Sequence, residues 1–210
     1  MAQSVNRGAA LKVLNEAYAK RKEVDDAISA KIKRIILGSH LTYRYILVNA
    51  LLAKATNPSV NPLYLQADTE NNYDKAFDAR SLCHKVLVPF EREYLSNALG
   101  GSNEPFLNKP ARFVSLSPTN AVRRGKDKDT LDTLIEILSD LNTDTTADRA
   151  KMYLASAMAN VEERGGRQEK LYQVKPIENV TTQCVLDFIY DLTTKSQEGE
   201  ICPLIVASLE

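Results

Sequence analysis

The sequence predicts an all-α fold of about seven to eight helices, with at most a few short strands. Three observations carry this reading. Apolar residues recur at spacings of three and four along most of the chain, the period of one helix face rather than of a strand. The breaks between these segments fall at Gly-Ser, Asn-Pro and Gly-Gly pairs, which end helices. Of 210 residues, 44% are apolar and 26% charged, a composition able to bury a large core.

The first helix is expected over 8–23, with Leu11, Leu14, Ala17 and Tyr18 in step, and the second runs through Ile28, Ile32, Ile35 and Ile36 to Gly38-Ser39. Leu41, Tyr45, Val48 and Leu52 mark one face of a third, which stops at Asn57-Pro58 because proline lacks the amide donor and restricts its predecessor. After a polar loop to about Asp74, a fourth helix starts near Phe77 with Asp78 as its N-cap and buries Leu82, Val86 and Phe90. Pro89 should kink it or end it early. Residues 97–128 are the least regular part of the chain, with Gly100-Gly101, Pro105, Pro110, Pro118 and Gly125. A clean amphipathic helix then begins at Asp129 or Thr130 and carries Leu131, Leu134, Ile135, Leu138 and Leu141. Further helices are expected over 146–164, where Gly165-Gly166 stops the helix, and over 181–194 and 201–210. Residues 113–116 and 171–174 are the candidates for short strands. We read 1–210 as a single helical domain whose apolar end, 201–209, favours a chain cut from something longer.

Several functions are excluded or demoted. The longest apolar stretch, 45–53, falls well short of the roughly 20 residues a membrane span needs, and the first seven residues lack a signal peptide's apolar run. The chain is therefore expected in the cytoplasm, without membrane attachment. Three widely spaced cysteines, Cys83, Cys184 and Cys202, form no CxxC pair and fit a reducing compartment. His40 and His84 sit on separate elements without a ligand at metal-binding spacing, and His84 points about 100° away from its neighbour Cys83 on a helix. No glycine pattern matches a phosphate-cradling loop. The [Asp/Glu]-x-Lys element of metal-dependent nucleases is absent from the sequence. Catalytic residues, metal ligands and cofactors are thus expected to be none in this chain. The least favoured alternative gathers Asp74, Asp78 and Glu91 around Mg²⁺.

The net charge of zero hides a segregation. Residues 80–128 hold nine Lys and Arg against four acids, whereas 129–148 hold six acids and no base. A basic irregular segment followed by an acidic helix is the layout of an anion-binding edge backed by a solvated face; ordinary solvated charge is the plain alternative. Asn103, Glu104, Asn108 and Asn120 are interleaved with these cations. Asn suits adenine, Glu accepts from the cytosine amine and Arg takes guanine in a fork, although the same Asn residues also suit turns.

Four strings resemble the N-terminal part of the SacI family of type II restriction endonucleases: HLTYRYILVNALLAKATNPSVNPLYLQA (40–67), YDKAFDARSLCHKVLVPFERE (73–93), LGGSNEPFLNKPARF (99–113) and NAVRRGKDKDTLDTLIEIL (120–138). The resemblance implies a bacterial, Mg²⁺-dependent endonuclease that cleaves double-stranded DNA at a short palindrome, acting as a homodimer beside a methyltransferase. It also implies that the catalytic acid and the [Asp/Glu]-x-Lys element lie towards the C-terminal side of the family's pattern, so this chain would be a recognition region, inactive alone. A dimerisation or scaffold module that touches protein rather than DNA is the alternative. On this reading Arg80 and Lys85, on one helix, and Lys109, Arg112, Arg123 and Arg124, in the loop, are candidates for phosphate contacts. Asn103, Glu104 and Asn108 are candidates for base contacts or for shaping the loop that makes them, and Tyr43 and Arg44 are expected to pack beneath the loop.

Overall fold

Helix α3 (Leu41–Thr56) is buried on every side: each residue from Tyr43 to Ala55 is inaccessible to solvent. The computed structural model of the protein describes residues 3–21, 27–67, 74–123, 125–143, 145–172 and 181–194. A helix enclosed all round belongs to the middle of a domain, and α3 takes this role although the sequence suggested a single apolar face. Its polar residues are tied to loop carbonyls, as buried polar groups must be. Arg44 donates from Nη1 to Leu99 O at 2.5 Å and from Nη2 to Gly38 O at 3.0 Å. Asn49 donates to Ala79 O at 2.8 Å, and Lys54 Nζ donates to Pro58 O at 2.7 Å and Val60 O at 3.1 Å.

Around α3 pack α1 (Arg7–Ala19), α2 (Ala27–Leu37) and, after the two elements described next, α6 (Lys126–Asn142). Asn6 caps α1 by accepting from Ala9 N at 3.0 Å, and α2 buries Ile32, Ile35 and Ile36. The fourth segment starts as α4 (Ala79–Leu82), with Asp78 accepting from Ser81 N at 2.8 Å as expected of an N-cap. It passes through a π-helical turn, Cys83–Leu87, into α5 (Val88–Tyr94). Leu82, Val86 and Phe90 are buried. Pro89 does not end this helix. Its ring would collide with the carbonyl four residues back in a regular α-helix; the wider turn, in which Val88 N bonds Cys83 O, carries the chain past it to Tyr94.

Three other boundaries differ from expectation. Helix α6 begins at Lys126, not at Asp129 or Thr130: Gly125 takes φ 78° at the N-cap, and Asp127 reaches back from the first turn to accept from Arg123 N at 3.1 Å. Helix α7 (Asp148–Tyr172) runs through Gly165-Gly166. Two glycines weaken a helix by about 1 kcal/mol each without breaking it, and Gly165 brings α7 close to Ala98, whose Cβ would stand 3.4 Å from a Cβ built on the glycine. Residues 113–116 form no strand but one isolated antiparallel bridge, Tyr64 to Ser115, with Leu65 N bonding Val114 O and Leu116 N bonding Leu63 O. Among the described residues there is no strand, and the fold is all-α. Of the second strand candidate, Leu171 is helical and 173–174 lie outside the described residues, as does the helix expected over 201–210.

The chain divides into two units, Met1–Leu171 and Tyr172–Glu210. The second contains α8 (Thr182–Thr194), on which Val185, Leu186 and Tyr190 are exposed. No helix among the described residues is long and apolar enough to cross a membrane.

Candidate nucleic-acid interface

The irregular basic segment is fastened to the core at its start by Glu91 of α5, which is 1% exposed. Its Oε2 accepts from the Tyr45 hydroxyl at 2.6 Å, and its Oε1 accepts from the amides of Gly100 and Gly101 at 3.0 and 3.1 Å. The Tyr45 oxygen accepts in turn from Ser102 N at 2.9 Å. Gly100 has φ 139° and Gly101 φ 66°, conformations that side chains resist. Arg44 holds Leu99 O from below and Tyr43 donates to Asp127 O at 3.2 Å, so both residues do lie beneath the segment.

From this fixed start the structure separates the candidate residues into two groups. In the first, Glu104 faces the π turn: it accepts from His84 Nε2 at 2.6 Å and pairs with Arg80 Nη2 at 3.4 Å. The His84 contact, before all else, holds the Glu104 carboxyl below the usual carboxylate range. Asn103 Oδ1 accepts from Arg92 Nη2, and Lys85 is exposed on the same turn. Cys83 beside it is buried, and burial raises its thiol pKa. Glu104 and Asn103 thus spend their side-chain oxygens on neighbouring cations, and a base contact by either requires exchanging that partner.

The second group is an open groove of about 610 Å³ lined by Asn108 and Lys109 on one segment, Ala121, Val122 and Arg123 on another, and His40 and Asp127. Lys109 and Arg123 are exposed, and among the described residues neither side chain has an ion-pair partner. Arg112 is exposed apart from this groove, its carbonyl accepting from Gln66 Nε2 at 2.9 Å. Asn120 makes a turn, accepting from Ser117 N at 2.7 Å. Arg124 lies outside the described residues.

His40, Asp127, Arg92 and the Glu91–Tyr45 pair were not nominated as DNA contacts or loop supports by the sequence. No local spacing links His40 or Tyr45 to the basic segment; only the packing of α3 against α6 and α5 does. Among the described residues no three His, Cys, Asp or Glu side chains gather as a metal site. Of the acids considered for Mg²⁺, Asp78 is a helix cap and Glu91 has both oxygens engaged. What the two groups offer is hydrogen-bond donors and positive charge.

The family described as the SacI restriction endonuclease N-terminal domain matches residues 9–162, which reaches beyond the quoted strings on both sides and contains both groups. The type II restriction enzyme SacI of Streptomyces achromogenes is 32% identical over 114 residues. That stretch covers 52% of this chain and 31% of the enzyme, so the match spans about a third of the relative's length. The chain belongs to the SacI restriction endonuclease N-terminal domain family.

Proposed function

We propose that the chain binds double-stranded DNA as the recognition region of a bacterial, cytoplasmic type II restriction endonuclease that cuts at a short palindrome. The Mg²⁺-dependent cleavage is assigned to the part of the enzyme that the match does not reach, and the full enzyme is assigned a homodimeric state. The observation that carries the reading is the groove, lined by the Asn108 amide and by the exposed cations Lys109 and Arg123, which have no ion-pair partner among the described residues. Cations left in water beside a groove bind phosphates with release of counterions, and an amide lining the same groove can read a base edge once the backbone is held. Arg80, Lys85 and Arg112 extend the positive field outside the groove. Glu104, bonded to His84 and paired with Arg80, shapes the loop that presents them.

The test is a fluorescence-anisotropy titration against mixed-sequence duplexes at low and moderate salt, with and without Mg²⁺, followed by gel analysis of the same samples. Binding without cleavage is the expected result. Cleavage would overturn the division of labour, and no binding by folded protein would overturn the recognition role.

A second reading, a module that contacts protein, is favoured by α8, where Val185, Leu186 and Tyr190 are 42%, 55% and 71% exposed. Concentration-dependent self-association on a sizing column, lost on Leu186→Ser, would support it.

A further inference from the structure

His40 lines the same groove, although the basic segment does not contain it. It occupies the N-cap position of α3, where Ser, Thr, Asp or Asn would bond the first-turn amides, but its side chain makes no capping bond. The ring is held elsewhere. It stands edge-on to Tyr43, with centroids 5.8 Å apart, and its Nδ1 is 4.0 Å from Asp127 Oδ1. Tyr43 is fixed to the Asp127 carbonyl, so the imidazole sits in a corner built from the start of α3 and the first turn of α6. With Nδ1 on the Asp127 side, Nε2 has no described partner, and the side chain is 35% exposed.

We infer that His40 is a third phosphate contact of this groove, donating from Nε2 to a backbone phosphate held between Lys109 and Arg123, with Asp127 setting the orientation of the ring. The inference rests on the DNA-binding reading and adds a residue and a chemistry to it. The charged and titratable groups facing the imidazole are Asp127 from α6, Lys109 from the 108–109 segment, Arg123 from the segment before α6, and the Tyr43 phenol from α3. A bound phosphate brings negative charge beside the ring, so DNA binding and protonation of the imidazole strengthen each other.

The chain has only two histidines, His40 and His84, which makes the test separable. The Kd of the full chain for a fluorescent duplex is measured at about pH 6 and about pH 8, the range in which imidazole titrates, for the wild type, His40→Gln, His40→Asn and His84→Gln. The wild type should bind about three- to tenfold more weakly at the higher pH, the scale of one net hydrogen bond. His84→Gln releases Glu104 and shifts the absolute affinity, but the ratio between its two pH values should match that of the wild type. His40→Gln and His40→Asn should bind alike at both pH values, near the wild-type affinity at the higher one. His40→Asn restores a capping residue to α3, so a flat profile there separates the loss of a DNA contact from any change in helix capping. A pH dependence that survives both His40 substitutions, or disappears in His84→Gln alone, overturns the inference while leaving DNA binding intact. Absence of binding in every protein at both pH values overturns the DNA-binding reading and this inference with it.

Discussion

The Glu91 carboxylate accepts a 2.6 Å hydrogen bond from the Tyr45 hydroxyl inside the core, and through its other oxygen it holds the Gly100 and Gly101 amides. One buried anion therefore joins the central helix α3, the helix α5 and the first residues of the basic segment. Asn103 and Glu104 follow this junction in the chain within three residues of Gly101.

Removing the acceptor should be costly. Glu91→Ala leaves a phenol and two amides without their partner, and each buried orphan costs about 1–3 kcal/mol; a loss of about 3 kcal/mol or more is expected in urea unfolding. Glu91→Gln keeps one acceptor oxygen and should lose about half as much. Equal stabilities for Glu91→Ala and wild type would show that the junction does not hold the segment in place.

Two glycines should respond in opposite directions. At Gly100, φ is 139° and a Cβ would come within 2.6 Å of Leu41 Cδ1, so Gly100→Ala should destabilise by about 1–3 kcal/mol. At Gly166 a Cβ meets nothing within 4 Å and the backbone is helical, so Gly166→Ala should stabilise by about 0.5–1 kcal/mol. Thermal unfolding of the two variants checks both signs.

Alkaline pH should probe the same core. Burial, more than the Glu91 and Asp127 contacts, raises the phenol pKa of Tyr45 and Tyr43 above the ordinary value of 10.0. Their folded pKa values exceed the unfolded ones, so the stability they contribute is complete below pH 10 and is lost as pH rises beyond it. Arg44 acts in the opposite sense: burial, with Arg164 next, lowers it to about 10, and the cost of its charge fades over the same range. Tyr45→Phe removes one of the declining contributions. Its stability deficit relative to wild type should be largest at neutral pH and shrink above pH 10, while tyrosinate absorbance in the wild type should show Tyr43 and Tyr45 ionising only on unfolding. A deficit that grows with pH would contradict the burial argument.

The helices were legible wherever one face carried a regular apolar stripe, as in α2 and α6. The stripe also located α3, but not its enclosure, because polar Asn49 and Lys54 give no sign in sequence of the distant and nearby carbonyls that let them be buried. Pro89 and Gly165-Gly166 were overruled by tertiary context: a π turn makes room for the first, and α7 continues past Ala98 through the second. For the candidate interface, local sequence supplied the positive charge at Lys109 and Arg123. It did not supply the groove, whose other walls, His40 and Asp127, depend on α3 packing against α6. For Glu104 and Asn103 the sequence left base reading and loop shaping both open, because the side chains that occupy their oxygens come from the neighbouring helix.

The most direct test of the central claim is the salt dependence of duplex binding by the wild type, by Lys109→Ala/Arg123→Ala, and by Lys20→Ala/Lys151→Ala, which removes two cations lining a separate groove. Each phosphate contact contributes about 0.9 to the slope of log affinity against log salt. The groove double substitution should weaken binding to all sequences and lower the slope by about 2, and the distant pair should leave the slope as in wild type. A slope unchanged by losing Lys109 and Arg123, or reduced as much by losing Lys20 and Lys151, would contradict the assignment of this groove to DNA.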